Sequence, residues 1–270
     1  MKNICDNLKI DLRKGDCLEL MKDIPDKSID MILCDLPYNT TSCKWDKLIP
    51  SNLLWEQYER IIKDNGAIVL FGTEPFSSKM RLSNEKLYKY DWKWIKSVVG
   101  NFLNCKNSPL KKYEDIMVFS KGTIANGSKR LMRYNPQGLI KIEMKRNNGN
   151  KDNRDRNGTI GNRPSRQGEY KQEYTNYPVN ILEFSNDIGL HPTQKPVALL
   201  EYLIKTYTNE GEIILDNCMG SGSTGVAAIN TNRKFIGIEL DENYFNIAKN
   251  RIENTYNNLN NTNDILELDK

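Results

Sequence analysis

The sequence predicts an α/β fold with a doubly wound, mostly parallel sheet, and three observations support this. Short runs that are apolar on both faces alternate with helix-like segments, as in parallel sheets covered by helices. Glycine-rich and acidic turns follow several of these runs, where such folds form their crevice. A basic stretch without apolar periodicity interrupts the alternation and is predicted to be a loop-rich insertion.

The individual elements follow from local patterns. Short apolar runs predict strands at Leu8–Leu12, Ile29–Cys34, Ala67–Phe71, Trp92–Val99, Ile116–Ser120, Ile181–Phe184, Glu212–Leu215 and Phe235–Glu239. Helical spacing predicts helices at Leu53–Lys63, Pro196–Tyr207, Gly225–Thr231 and Glu242–Tyr256. We therefore expect one principal domain over residues 1–120 and 176–256, a basic insertion over 121–175 and a flexible tail over 257–270.

Composition narrows the class of protein. The apolar stretches are far shorter than the roughly 20 residues of a membrane span, and the first residues lack a signal-peptide core. The six cysteines form no Cys-x-x-Cys pair, and His191 is the single histidine. We expect an intracellular, cytoplasmic protein that contacts no membrane and whose chemistry uses no metal.

Charge is concentrated in the insertion. Residues 121–171 contain 13 basic and four acidic residues, whereas the net charge of the whole chain is only +4. Such a segment suits a polyanion, and its many Gly and Asn residues indicate loops. A solvated, passive insertion explains the charge equally well.

A glycine-rich turn near the C-terminus indicates a nucleotide cofactor. Gly220-x-Gly222-x-x-Gly225 follows a strand that ends near Asp216, and Glu239 lies 19 residues after Gly220, at the end of the next strand. In dinucleotide-binding folds a carboxylate at that place binds ribose hydroxyls. Three residues separate Asp216 from the first glycine, which favours S-adenosylmethionine over a nicotinamide cofactor. A nicotinamide-dependent oxidoreductase is the alternative from another class.

A second turn carries the candidate chemistry. Asp35-Leu36-Pro37-Tyr38 follows the strand Ile29–Cys34, at an edge where parallel strands form ligand crevices. Taken alone, this tetrapeptide could be a proline turn with Tyr38 as ordinary packing.

Together these motifs resemble the β-class DNA amino-methyltransferases. The resemblance rests on Asp35–Tyr38, the basic insertion, His191-Pro-Thr193-Gln-Lys195-Pro196 and then the glycine turn, and it spans Ile10 to Arg251. Supporting segments are Gly15-Asp16-Cys17, Phe102-Leu-Asn104 and Glu114–Phe119. It implies a Rossmann-like methyltransferase fold in which the catalytic motif precedes the glycine turn, a circularly permuted order. Leu36 replaces a more common proline, and Cys218 replaces a usual phenylalanine beside the cofactor.

The resemblance also implies roles for individual residues. It assigns the catalytic turn to Asp35, Leu36, Pro37 and Tyr38, with Tyr38 stacked on the target base. It places S-adenosylmethionine against Asp16, Cys17, Asp35, Thr193, Lys195, Asp216, Cys218, Met219, Gly220, Ser221, Gly222, Ser223 and Glu239. Asp16 would contact the adenine of the cofactor, Glu239 its ribose, and Lys195 the methionine end.

The implied reaction is methylation of the N6 amine of an adenine flipped out of DNA. Carbonyl and carboxylate acceptors on Leu36 and Asp35 would hold that amine, whose lone pair is otherwise delocalised into the ring. Cytosine N4 methylation and RNA methylation by the same fold are alternatives, and an aspartate at position 35 favours adenine.

Candidate partners follow from the same resemblance. DNA would be bound by Trp45, Arg154, Arg156, Arg163 and Arg166, although Trp45 could equally pack beneath the cleft. The further partners implied by the family are a second copy of the chain and a cognate restriction endonuclease.

Overall fold

The computed structural model describes residues 10–38, 48–148, 168–186 and 194–268. The chain forms two compact units: Met1–Asn135 together with Asn180–Lys270, and Pro136–Val179. The second unit overlaps the predicted insertion over 121–175 with different bounds. The predicted assignment of catalytic and binding roles to these parts stays a prediction.

Strands are present at all the positions where the apolar runs predict them. They are β1 Ile10–Lys14, β2 Ile29–Cys34, β3 Ile62–Gly72, β4 Tyr88–Gly100, β5 Lys111–Phe119, β6 Ile140–Asn148, β7 Gly168–Thr175, β8 Ile181–Phe184, β9 Ile213–Asp216 and β10 Lys234–Glu239. Eight of them form one sheet in the order β1-β10-β9-β2-β3-β5-β4-β8, and β6 pairs with β7.

The sheet is mostly parallel, as predicted. Strands β1, β10, β9, β2 and β3 are parallel neighbours. Strand β5 runs antiparallel to both β3 and β4, and β8 is parallel to β4. Four carboxyl ends, those of β1, β10, β9 and β2, therefore lie side by side at one edge of the sheet.

Helices cover both faces of this sheet. They are α1 Cys17–Leu20, α2 Ser51–Ile61, α3 Phe76–Ser83, α4 Val197–Tyr207, α5 Ser223–Asn230 and α6 Glu242–Leu268. Successive side chains of a strand point to opposite faces, so β2 contributes to two cores. Met31 and Leu33 pack in the core beneath α4, α5 and α6. Ile32 and Cys34 pack in the core beneath α1, α2 and α3.

Several elements differ from the sequence prediction. Helix α2 ends at Ile61, because Ile62 already pairs with Ile29 of β2. Helix α3 was not predicted, since its eight residues are too few for a clear periodic signal. Helix α6 continues to Leu268, beyond its predicted end at Tyr256, because its Asn-rich continuation contains no glycine or proline to stop it.

Within the described ranges, no helix has both the length and the apolar character that a bilayer crossing requires.

The insertion was predicted as loops, and this was wrong for part of it. Strands β6 and β7 form an antiparallel hairpin in which Ile140 is opposite Thr175 and Lys141 is opposite Tyr174. Apolar residues alternate with polar ones from Ile140 to Met144, which is the period of a strand. The high Gly and Asn content of the surrounding sequence obscured this short alternation.

We expect Gly225→Ala to destabilise the protein. A Cβ at Gly225 would lie 2.3 Å from Cδ1 of Ile252 and 2.8 Å from Cε1 of Phe235, both of which are buried. Overpacking of this kind costs about 1–3 kcal/mol in the free energy of unfolding, which urea denaturation measures. Gly100→Ala is the control, because its Cβ meets nothing closer than 3.8 Å. Equal stability of the two variants would contradict the close packing of α5 on α6 at this glycine.

Candidate active site

The carboxyl ends of the parallel strands surround one cavity of about 390 Å³. The turns after β1, β2, β9 and β10 all line it, together with the residues just before α4 and α2. Residues that line the cavity include Asp16, Cys17, Asp35, Leu36, Pro37, Tyr38, Glu114, Lys195, Asp216, Asn217, Cys218, Met219, Gly220, Ser221, Ser223, Glu239 and Tyr244. The two turns singled out in the sequence are therefore adjacent in space.

The turn after β2 places Asp35 in a network of fixed contacts. The hydroxyl of Tyr38 donates a hydrogen bond to Oδ1 of Asp35. Burial, reinforced by the charge of Asp35, raises the pKa of Tyr38 well above its usual value, so the phenol keeps its proton. The ring of Tyr38 packs on Phe76 with the ring centroids 4.7 Å apart. This contact supports the tetrapeptide from the side of α3.

Lys195 joins the turn Asp35–Tyr38 to β5. Its Nζ lies 2.5 Å from Oδ2 of Asp35 and 3.3 Å from Oε2 of Glu114. Burial alone would lower the pKa of Lys195, but the two carboxylates raise it above its usual value. Burial likewise opposes ionisation of Glu114, whose pKa is nevertheless lowered by Lys195 and Lys96. The cluster therefore holds paired charges at neutral pH.

The glycine turn is fixed from both sides. The backbone amide of Cys218 donates to Oδ1 of Asp216 at 3.1 Å. Asn217 is buried, and its Oδ1 accepts a hydrogen bond of 2.5 Å from the Tyr58 hydroxyl of α2. Gly220 and Gly222 have φ values of 51° and 80°, a region that residues with a Cβ rarely adopt. These contacts shape the wall of the cavity.

Two further carboxylates lie at neighbouring strand ends. Oε2 of Glu239 accepts from the amide of Gly220 at 2.8 Å, and Oε1 accepts from the amide of Asp241 at 2.9 Å. Burial raises the pKa of Glu239 despite these bonds. Oδ1 of Asp16 accepts from the amide of Leu18 at 2.8 Å and caps helix α1. Both side chains thus have positions set by the backbone.

Three cysteines meet at the wall of the cavity. The thiol of Cys218 contacts those of Cys17 and Cys34, and all three are free thiols. Burial raises the pKa of Cys34 to about 12. Cys218 therefore packs against two other small side chains instead of presenting an aromatic ring. The family that the sequence resembles usually has a phenylalanine at this position.

Most of the predicted site residues line this cavity. Gly222 does not; a Cβ there would lie 3.0 Å from Ala248 of α6, so this glycine permits a close approach of backbone to helix. Thr193, Trp45, Arg154, Arg156, Arg163 and Arg166 lie outside the described residues.

The sequence prediction missed Glu114, Asn217 and Tyr244 as lining residues. Glu114 had one signal, an acidic side chain at the edge of the apolar run that forms β5.

The cavity fits S-adenosylmethionine. A Cβ at Gly220 would meet nothing within 4 Å, so open space lies against the backbone where a ligand could approach closely. The volume of the cavity is within the range of small-molecule sites. The exposed carboxylate of Asp16 and the buried carboxylate of Glu239 are acceptors that suit the amine and hydroxyl groups of an adenosine.

The fold and this cavity define the class as an S-adenosylmethionine-dependent methyltransferase. A family model described as DNA methylase, the N6 and N4 methyltransferase family, matches residues 29–250. The chain belongs to this family. The predicted family, fold class and cofactor are thereby confirmed.

Curated relatives cover most of the chain. The DNA adenine methyltransferase YhdJ of Escherichia coli is 29% identical over 88% of this chain and 81% of its own length. The type II methyltransferase M.HpaI of Haemophilus parainfluenzae is 27% identical over 90% of this chain and 74% of its own length.

Solved structures agree with this assignment. A crystal structure of an M1.HpyAVI–SAM complex is 26% identical, with a TM-score of 0.57, and covers 90% of this chain and 99% of its own. The cytosine-N4-specific PvuII DNA methyltransferase, at 16% identity and a TM-score of 0.61, covers 93% of this chain and 94% of its own. At that identity the second match shows the fold alone.

We expect Asp216→Asn to stabilise the protein in a pH-dependent way. Burial raises the pKa of Asp216 to about 6 from a reference of 3.8. Above pH 6 the folded protein must hold a buried charge, and this cost disappears as the pH falls through 6 toward 4. The variant should therefore gain about 1–3 kcal/mol in the free energy of unfolding at pH 8 and about a third of that gain at pH 4.5.

Urea denaturation at both pH values measures this difference. The matched control is Asp23→Asn, which changes an exposed carboxyl group. A stability change in Asp216→Asn that is the same at pH 8 and pH 4.5 would show that its burial carries no charge penalty.

Proposed function

We propose that this chain transfers a methyl group from S-adenosylmethionine to the N6 amine of an adenine flipped out of DNA, at specific sequences. The observation that carries the proposal is the shared cavity. Asp35-Leu36-Pro37-Tyr38 and the turn from Asp216 to Ser221 line the same space, although they are far apart in the sequence. A methyl donor and an acceptor amine held by these two turns would face each other.

The residues of the catalytic turn suit an exocyclic amine. A carboxylate oxygen has two lone pairs, so Asp35 can accept an amine N–H while keeping its contacts with Tyr38 and Lys195. The backbone carbonyl of Leu36 is a second acceptor, and Pro37 limits its direction because the proline ring fixes φ. S-Adenosylmethionine supplies an electrophilic methyl group. Positive charge grows on the amine during transfer, and the fixed carboxylate of Asp35 stabilises it.

The choice of adenine rests on Asp35 and on the relatives. Related enzymes acting on cytosine more often carry serine at the first position of the tetrapeptide, whereas this chain has aspartate. The relative YhdJ is named a DNA adenine methyltransferase. Family membership disfavours the nicotinamide-dependent oxidoreductase, and it favours DNA over RNA as the substrate.

Product analysis tests the proposal directly. Purified protein is incubated with unmethylated genomic DNA and S-adenosylmethionine, and the DNA is digested to nucleosides for mass spectrometry. N6-methyl-2′-deoxyadenosine is the expected product, and N4-methyl-2′-deoxycytidine alone would rule out adenine. Single-molecule mapping of modified bases on the same DNA then identifies the recognition sequence.

Two partners and the cellular location stay predictions. The resemblance implies a second copy of the chain and a cognate restriction endonuclease, and M.HpaI and M2.MboI are named type II methyltransferases. Sedimentation with and without DNA tests the first partner. A cytoplasmic location follows from the expected substrate and is tested by fractionation.

We expect Asp35→Asn to abolish most methyl transfer while leaving cofactor binding largely intact. The amide keeps the shape of the side chain but removes the negative charge opposite the reacting amine. Loss of one such electrostatic group lowers kcat by about 10²–10³-fold. Single-turnover methylation measures the rate, and calorimetry measures binding of S-adenosylmethionine. Asp64→Asn, an exposed change in an ion pair with Lys27, is the control. Near-normal turnover of Asp35→Asn would refute its role.

We expect the basic insertion to bind the phosphates of DNA. Changing Arg154, Arg156, Arg163 and Arg166 together to Gln should weaken DNA binding. If all four contact phosphates, the slope of log affinity against log salt should fall by up to about 3.6, since each contact contributes about 0.9. Fluorescence anisotropy over a series of salt concentrations gives this slope. An unchanged slope would identify the insertion as a passive loop.

A further inference from the structure

The connection between β4 and β5 carries two large apolar side chains on its surface. Phe102 is 72% exposed and Leu103 is 98% exposed. All residues from Phe102 to Tyr113 are exposed. Large apolar side chains exposed to water are unfavourable, so two adjacent ones favour contact with another molecule.

Local hydrogen bonds hold this connection in one shape. Nδ2 of Asn101 donates to Oγ of Ser108 at 3.1 Å, and Nδ2 of Asn104 donates to Oδ1 of Asn101 at 2.7 Å. The amide of Ser108 donates to the carbonyl of Asn104 at 2.9 Å. Asn101 adopts a left-handed conformation with φ of 67°, which turns the chain outward just before Phe102. The exposed pair is therefore presented by an ordered tip, which we define as residues 101–110.

The tip extends from the two strands that lie next to the Lys195 ion pairs of the proposed active site. Strand pairing places Trp94 opposite Glu114, and it places Gly100 opposite Lys111 at the base of the tip. Glu114 is 3.3 Å from Lys195, which in turn is 2.5 Å from Asp35. Lys111 is three steps along β5 from Glu114, which is roughly 10 Å.

The charge around the tip suits a polyanion. Lys106, Lys111 and Lys112 are exposed, and the sequence from Ser97 to Tyr113 contains no acidic residue. Lysine amines around an exposed apolar pair are complementary to a DNA duplex, because its phosphates lie outside and its stacked bases lie inside. Proximity to Asp35 favours DNA over other anionic surfaces.

We propose that the tip enters the DNA duplex next to the target adenine. Phe102 and Leu103 occupy the space that the flipped base leaves, and the three lysines contact the flanking phosphates. Removing a base from the stack costs a few kcal/mol, and apolar side chains inserted between base steps offset that cost. The inference rests on the proposed function, because it assumes that DNA is the substrate.

The test separates base flipping from chemistry. Phe102→Ala/Leu103→Ala is assayed on a duplex carrying the mapped recognition sequence and on the same duplex with the target adenine mismatched. A mismatched base flips at lower cost. We expect kcat/KM to fall by about 10–100-fold on the paired duplex and to be within about threefold of the unmodified protein on the mismatched one. With 2-aminopurine at the target position, the unmodified protein should increase the fluorescence on binding. The double variant should not.

Control variants fix the interpretation. Leu82→Ala changes another leucine that is 69% exposed, and it should leave both substrates unaffected. Phe102→Trp keeps a large apolar group and should retain activity on the paired duplex. Affinity for S-adenosylmethionine should be unchanged in every variant.

Three results would overturn the inference. They are equal losses on paired and mismatched duplexes, no loss on either, and a double variant whose main change is its oligomeric state in sedimentation. An unmodified protein that methylates no DNA contradicts the proposed function itself and is recognised before any variant is made.

Discussion

The site depends on one interaction, the pairing of the Lys195 ammonium group with two carboxylates. The ammonium group is buried, and it pairs with Asp35 at the end of β2 and with Glu114 on β5. A buried charge without partners would cost several kcal/mol, so the three side chains hold one another in place. The pairing links the parallel half of the sheet to its antiparallel half. It also fixes the segment that leads into α4.

The order of the strands explains why distant motifs meet. Strands β1, β10, β9 and β2 are parallel neighbours, so their carboxyl ends lie on the same edge of the sheet. Four acidic residues lie at or just after these ends, namely Asp16, Glu239, Asp216 and Asp35. In the chain, Asp16 and Asp35 precede the other two by about 200 residues. Because the sheet brings these ends together, the glycine turn can follow the turn Asp35–Tyr38 in the sequence without changing the cavity.

Much of the fold and part of the site could be predicted from the sequence. The bounds of β2 and β8 were predicted correctly, because each is a short apolar run between polar turns. Helix α3 and the hairpin β6–β7 were not, since eight residues and a weak alternation give little signal. The two turns were found because their residue types carry chemistry. The pairing of Lys195 with Glu114 joins residues about 80 positions apart, and no local pattern encodes such a contact.

The charges in the cavity also bear on the choice of ligand. Five acidic side chains line it, namely Asp16, Asp35, Glu114, Asp216 and Glu239, whereas Lys195 is the basic side chain among the lining residues. A pyrophosphate would meet these carboxylates at close range, and unlike a Rossmann dinucleotide site this cavity offers it little compensating positive charge. A sulfonium and an α-amine are cationic and suit the same carboxylates. The electrostatics thus favour S-adenosylmethionine over a dinucleotide, for a reason independent of the glycine spacing. The same field would repel the phosphates of DNA, so a neutral base has to leave the duplex to enter the cavity.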